Sequence, residues 1–242
     1  MPVEELAQKL ISWIRDVVLV AEGKGVIVGM SGGLDSSVTA VLCRNAFSDT
    51  TLGIVMPCYS DNVDKMHAQL VSARFNIPIK IVMLDEVFDS MSKMLSDESC
   101  DEVTRRLAKA NIKARLRMVT LYYYANCLNY LVAGSGNKSE LSIGYFTKYG
   151  DSGVDLLPLG ALVKRRVREL ATYLDIPEDI INKPPSAGLW AGQSDEEELG
   201  LTYNELDQYL TAGTTEKDVK ERIDFMIFRS KHKCSLPPIP PL

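Results

Sequence analysis

Asp35 lies in the stretch VGMSGGLDSS, residues 28 to 37, where a common phosphate loop of the form G-x-x-x-x-G-K-[ST] carries its lysine. The rest of the stretch suits an anion. Gly29, Gly32 and Gly33 let the backbone come close to a ligand and turn its N–H groups toward it. Ser31, Ser36 and Ser37 add hydroxyl donors, and a helix that begins near Asp35 presents its positive end. A carboxylate next to a phosphate repels it unless a divalent cation stands between them. Mg²⁺ takes one or two carboxylates plus phosphate oxygens, so the acid implies a metal-bound nucleotide. The plain alternative is a strand–turn–helix connection in which Asp35 or Ser36 only caps the helix.

A second acid, Glu140, follows the segment GSGNKSE, residues 134 to 140. Two carboxylates with phosphate oxygens would make a magnesium site. Taken alone, a glutamate there is more commonly a helix-start residue facing water, and only its pairing with Asp35 argues otherwise. Lys164 opens the basic run KRRVREL, which is unfavourable against a helix dipole, so a bound anion there would relieve it. For Arg165 and Arg168 a solvated face suffices.

The elements that must position these residues alternate. Leu6, Leu10, Trp13, Val17 and Ala21 recur at helical spacing and predict a first helix, stopped by Gly23 and Gly25. GVIVGM (25–30), TTLGIVMP (50–57), IPIKIVML (77–84) and YLVAGS (130–135) read as strands, with helices between them at 36–47, 61–75, 85–95 and 101–130. That order predicts an α/β fold, a doubly wound, mostly parallel sheet with helices on both faces, and ligands beyond the carboxyl ends of its strands. Both acidic motifs follow strands.

In the long helix, Leu107, Ala110, Ala114, Met118, Leu121 and Ala125 form one apolar stripe. Arg115 and Arg117 flank it at roughly 80° to either side, and Lys109 and Lys113 face away. Residues 145 to 160 read as loop, 161–174 as an amphipathic helix, and NKPPSAGLWAGQ (182–193) as irregular chain. Trp190 there could seal a lid or anchor the loop. Ser194…Glu197 and Thr202…Glu205 each spell a capping box that opens a helix, and SLPPIPPL (235–242) is an extended tail. No repeat and no long linker divides residues 1–242, which read as one domain.

With 46% hydrophobic and 24% charged residues, the 242-residue chain has the composition of a globular protein. Its net charge of −5 argues against broad nucleic-acid binding. Five scattered cysteines without a C-x-x-C fit reduced thiols in a cytoplasm rather than disulfides or structural zinc. The first residues carry acids, unlike a signal peptide, and no run of eighteen apolar residues spans a membrane.

S-G-G-x-D-S resembles the pyrophosphate-binding loop of the N-type ATP pyrophosphatases, whose adenine nucleotide α-hydrolase-like fold is Rossmann-like. GSGNKSELSIGYFTKYGDSGVDLLPLG (134–160), KPPSAGLW, SDEEELG and the KHK at 231–233 are similar to the ammonia-dependent NAD synthetases, and the likeness covers nearly the whole chain. The resemblance implies ATP-dependent amidation of deamido-NAD to NAD with ammonia, through an acyl adenylate, releasing AMP and pyrophosphate. It places ATP on Gly29, Met30, Ser31, Gly32, Gly33, Leu34, Asp35, Ser36, Ser135, Lys164 and Ser186. It places deamido-NAD on Arg115, Lys148, Asp155, His232 and Lys233, and Mg²⁺ on Asp35 and Glu140. No residue serves as a nucleophile; Asp35 and Lys164 stabilise charge. Arg117 stays structural. The family continues its His-Lys pair with arginine where this chain has Cys234, which puts the tail's contacts in question.

The resemblance further implies a homodimer with the dinucleotide in the subunit interface. Residues 1–242 leave no room for a glutamine-hydrolysing domain, although a separate glutaminase subunit would supply ammonia equally well. Two competitors stand beside this reading. One is another AMP-forming enzyme on the same scaffold, such as a tRNA thiolase, which would bring paired cysteines or an RNA-binding domain. The other is a non-catalytic ATP-binding regulator, which would need neither Glu140 nor the lysines at 148 and 164.

Overall fold

The computed structural model describes residues 1–95, 99–186, 188, 190 and 192–240. Four short strands form one parallel sheet: β1 (Val26–Gly29), β2 (Thr51–Val55), β3 (Ile79–Ile81) and β4 (Leu131–Ala133), in the order β3-β2-β1-β4. β1 pairs with β2 from Val26↔Thr51 and with β4 from Val26↔Leu131. The order therefore turns outward in both directions from β1, and the crevice between the ends of β1 and β4 is the switch point where such sheets bind ligands.

The strands are buried on both faces, as their near-continuous apolar runs require. Val26 and Val28 pack under α1 (Val3–Val20), α2 (Leu34–Ala46), α3 (Asn62–Phe75) and α7 (Lys164–Tyr173). Ile27, Ile54 and Val132 face α4 (Asp85–Met94) and α5 (Glu102–Leu128). Ile27 is fully buried, worth about 1.5–3 kcal/mol relative to exposure. α6 (Lys138–Ile143), α8 (Glu178–Ile181), α9 (Asp195–Leu199), α10 (Tyr203–Ala212), α11 (Lys217–Ser230) and a 3₁₀ turn at Lys231–Lys233 complete the chain. α6, α10 and α11 bury a satellite cluster around Tyr203, Leu206 and Ile223.

The doubly wound parallel sheet is as expected, with shifts of detail. β3 stops at Ile81 because its edge position pairs only Gly53–Val55, and Val82 and Leu84 return their N–H groups to Val55 and Pro57. The buried residues of α1 are Leu6, Ala7, Ile14 and Val18, with Leu10 and Val17 of the predicted stripe half-buried at the core's edge and Trp13 exposed. On α5 Leu107 is also exposed, whereas Lys113, expected to face away, is buried with its ammonium over the Tyr59 and Phe88 rings. The aromatic residues ahead of and within α4 supply the π faces that make this burial tolerable, and burial lowers the Lys113 pKa. Residues 145 to 160 form turns, with a single parallel bridge from Ala133 to Leu156.

Thr202 caps α10 by the expected reciprocal box with Glu205. Ser194 opens α9 without a side-chain cap bond. There the neighbouring Asp195 is buried and takes hydrogen bonds from Tyr145 and Tyr203, while the Glu196 carboxylate accepts the Tyr203 backbone N–H.

Candidate active site

β1 ends at Gly29, and the loop to α2 is tied to itself before any ligand arrives. Ser36 Oγ accepts the Ser31 N–H and donates to the Gly33 carbonyl, Ser31 Oγ accepts the Gly33 N–H, and Ser37 Oγ donates to the Gly33 carbonyl at 2.8 Å. Gly32 has φ +78°, and a Cβ there would lie 2.0 Å from the Asp64 carbonyl oxygen of α3. Glycine is required both for the left-handed backbone and for the close approach of α3. Met30 and Leu34 are buried in the core, so only their backbones can serve a ligand. Gly33 is the N-cap of α2, and Asp35 stands in its first turn.

β4 leads through Gly134, Ser135 and Gly136 into α6. Asn137 caps this helix: its side chain accepts the Glu140 N–H at 3.1 Å, and a Glu140 carboxylate oxygen, Oε2, lies 3.4 Å from the Asn137 N–H. Glu140 is thus a helix-start glutamate, but it faces the protein. Asn137 Nδ2 also donates to Asp35 Oδ1 at 2.9 Å, joining the two strand-end motifs.

Lys164 closes the group. Its Nζ donates to Asp35 Oδ2 at 2.5 Å and to Glu140 Oε1 at 3.1 Å, and it lies 5.0 Å from the centre of the Tyr203 ring. The lysine side chain is only 6% exposed. The basic start of α7 thus meets carboxylates of the chain itself, which the run of charges did not reveal. The Asp207 carboxylate of α10 accepts the backbone N–H groups of Lys164 and Arg165 at 3.3 and 2.7 Å, complementing the helix dipole. Ser139 Oγ adds a bond to the Lys164 N–H and donates to Asp207.

Burial raises the Glu140 pKa against the pull of Lys164, and the Asp35 charge raises it further. For Lys164 burial acts downward, but the two carboxylates outweigh it and hold the ammonium charged. The Tyr203 hydroxyl, 3.3 Å from Glu140 Oε1 and 3.1 Å from Asp195 Oδ2, is raised by burial and by these acids.

A divalent cation fits this donor set. Asp35 Oδ2 and Glu140 Oε1 converge on one point, now held by an ammonium. Among the described residues no group of three or more His, Cys, Asp or Glu forms a metal cage. The remaining ligands would come from a nucleotide and water, as magnesium prefers.

A cavity of about 1220 Å³ opens over these groups. Gly29, Met30, Ser31, Gly33, Leu34, Asp35, Ser36, Ser135, Glu140, Lys164 and Ser186 line it, as do His232 and Lys233 on another wall. Gly32 is turned back against α3. Arg117 also reaches the cavity while bonding the Met56 carbonyl and Ser60. Trp190 lines it too, with Arg106 stacked 4.3 Å from its ring centre.

Arg115, Lys148 and Asp155 lie outside this lining. Two of them are linked beside α5: Arg115 donates to the Lys148 carbonyl, and Lys148 Nζ donates to the His232 carbonyl at 2.7 Å. Asp155 accepts from Tyr122, two turns after Arg115, and from the Val132 N–H. Lys233 Nζ donates to the carbonyls of Gly144 and Phe146, and Cys234 Sγ contacts the Leu141 carbonyl.

Sequence reasoning passed over Asn137, Tyr203 and Asp207. For Asn137 a signal existed, since N-x-x-E is a capping signature. It also passed over Asp64, whose carboxylate pairs with Lys183 of the proline-rich segment. Among the described residues no helix is long and apolar enough to cross a membrane.

The chain is 48% identical to an NH(3)-dependent NAD(+) synthetase of Carboxydothermus hydrogenoformans, over 99% of this chain and 98% of the relative. Its fold superposes on an NMN synthetase from Francisella tularensis with a TM-score of 0.94 at 36% identity, covering all of both chains. It also matches an NH3-dependent NAD synthetase from Campylobacter jejuni with a TM-score of 0.81 at 28% identity, again over both whole chains. The family described as NAD synthase matches residues 6–237. On this likeness, and with the acid–lysine–acid group at the ends of β1 and β4, the chain belongs to the NAD synthase family.

Proposed function

We propose that the chain amidates deamido-NAD to NAD with ATP and ammonia through an acyl adenylate. The observation that carries this reading is the convergence of Asp35, Glu140 and Lys164 at the mouth of a glycine loop, in a chain of this family. A nicotinate carboxylate cannot be amidated directly, because oxide is a very poor leaving group. Its oxygen attacks the α-phosphorus of ATP, the bond to the β-phosphate oxygen breaks, and pyrophosphate leaves. Ammonia then adds to the acyl carbon, loses a proton, and AMP departs with the electron pair of the broken C–O bond.

The chain's own residues bind and neutralise. The loop from Gly29 to Ser36 presents N–H groups and hydroxyls to the leaving diphosphate, and Ser135 and Ser186 flank the nucleotide. Asp35 and Glu140 would hold Mg²⁺, whose chemistry there is to offset the charge of the phosphates. Lys164 places a permanent positive charge beside the same oxygens. Catalysis of this kind rests on positioning and charge stabilisation, without an enzymic nucleophile.

Arg115, Lys148, Asp155, His232 and Lys233 would bind the dinucleotide. Three of them lie outside the main cavity along α5, where the exposed Val119 and Tyr123 stand on the same side of the helix as Arg115. A homodimer through α5 would complete that half of the site, and light scattering of the purified protein tests it. Five free cysteines fit a cytoplasmic setting, and residues 1–242 act as one domain that takes free ammonia.

A second reading has its own support. The 0.94 TM-score is with a protein named for NMN, and Arg115, Lys148 and Asp155, expected to hold deamido-NAD, lie outside the lining of the main cavity. On this reading the acid substrate is the mononucleotide. Amide and pyrophosphate formation should be measured with deamido-NAD and with nicotinate mononucleotide, each with ammonium or glutamine. A higher kcat/KM for deamido-NAD with ammonium supports the first reading, and a higher value for the mononucleotide supports the second. Pyrophosphate release without either acid overturns both.

A further inference from the structure

Each of the two carboxylates has one oxygen held by Lys164 and the other by Asn137. Lys164 Nζ takes Asp35 Oδ2 and Glu140 Oε1. Asn137 takes the opposite pair, with its Nδ2 on Asp35 Oδ1 and its backbone N–H toward Glu140 Oε2. Asn137 is fully buried, and its remaining side-chain atom, Oδ1, accepts the Glu140 N–H. The bonds shown for its side chain therefore go to Asp35 and to the helix start that carries Glu140.

We propose that Asn137 is a positioning residue for the metal-bound nucleotide. It holds the outer oxygens of Asp35 and Glu140 so that the inner two stay convergent when Lys164 turns to a phosphate. The proposal rests on the reading of Asp35 and Glu140 as metal ligands. Without Asn137 nothing else described in the structure bonds Asp35 Oδ1, and the carboxylate is free to rotate about its last side-chain bond. An amide is the group that does both tasks, since one end must accept from the helix N–H and the other must donate to a carboxylate. Partners of ligating carboxylates typically change metal affinity or activity by about 10–100-fold when removed.

Asn137→Ser separates the two tasks, because serine caps a helix about as well as asparagine but is too short to reach Asp35. The readout is Mn²⁺ affinity in the presence of a non-hydrolysable ATP analogue, by electron paramagnetic resonance, with thermal melting measured in parallel. The expected result is a folded variant whose Mn²⁺ affinity falls by about 10-fold or more, with kcat lowered and KM for the acid substrate little changed. In an Asp35→Asn background the same serine substitution should add little further loss, since its effect runs through Asp35. A folded serine variant with wild-type Mn²⁺ affinity overturns the proposal, and so does full additivity. If Asn137→Ser does not fold, Asn137→Thr is measured in its place, and failure of both to fold assigns Asn137 to the fold and overturns the positioning role. Should the wild-type protein with the ATP analogue bind no Mn²⁺, the metal reading itself falls, which is a separate outcome.

Discussion

Lys164 stands 129 residues from Asp35 in the chain, and its ammonium lies 2.5 Å from the Asp35 carboxylate in the fold. The same nitrogen is 3.1 Å from Glu140. A lysine thus neutralises the two acids that a divalent cation would share.

Removing this ammonium leaves two carboxylates facing each other in a poorly solvated site. Breaking a buried ion pair on one side costs about 3–5 kcal/mol. Lys164→Met should therefore melt well below wild type, by roughly 6–20 °C at about 2–4 °C per kcal/mol for a chain of this size. Millimolar Mg²⁺ should restore much of the loss in the variant while moving wild type little. Differential scanning calorimetry with EDTA or Mg²⁺ checks this, and equal metal responses would contradict it.

Asp35→Asn removes charge while keeping shape and one hydrogen-bond acceptor. Turnover should fall by about 10²–10³, the range seen when one charge-stabilising group is lost. KM for the acid substrate should change much less. Steady-state kinetics across Mg²⁺ concentrations provide the measurement, and near-normal turnover would remove the metal argument.

Gly32→Ala places a methyl group against the Asp64 carbonyl in a left-handed backbone. Overpacking costs about 1–3 kcal/mol, and the left-handed conformation adds about 1–2 kcal/mol for a residue with a Cβ. The variant should be destabilised and should bind ATP poorly even where it remains folded, as read by chemical denaturation and by nucleotide titration.

The Thr202–Glu205 box tests an exposed helix cap that makes no contact with Asp35, Glu140 or Lys164, although it opens the helix that carries Tyr203. Thr202→Ala should cost about 1 kcal/mol, lowering Tm by roughly 2–4 °C and leaving kcat unchanged. The hydrogen bonds from Thr202 hold the Glu205 pKa below its usual 4.5. A depressed carboxylate stabilises the fold above its unfolded pKa and loses that effect as pH falls through the folded value. The Tm difference between wild type and Glu205→Ala should therefore be full at pH 7 and shrink below about pH 4.5.

The strand–helix alternation, the parallel sheet and the meeting of the two acids were legible in the residues. Each rests on a local pattern, and strand-end motifs in a parallel sheet share one edge. The partner of Lys164 was not legible, because it depends on how α7 packs against α2. The misfit of a basic helix start was a true signal, but it pointed to a bound anion when the anions were Asp207, Asp35 and Glu140. Ser194…Glu197 and Asn137…Glu140 spell the same kind of signature. Only the second forms a box, since Asp195 is drawn to the phenols of Tyr145 and Tyr203, and no local pattern reveals that competition. Lys113 was misplaced for a similar reason: its angular position on α5 was read correctly, but not the aromatic rings of Tyr59 and Phe88 that receive it.

Asp64 meets two walls of the cavity at once. Its carbonyl limits the glycine turn at Gly32, and its carboxylate grips Lys183 in the proline-rich segment that also carries Ser186. One residue thus sets both the space beside the glycine turn and the anchorage of the facing wall, so a change at position 64 would disturb two sides of the cavity together.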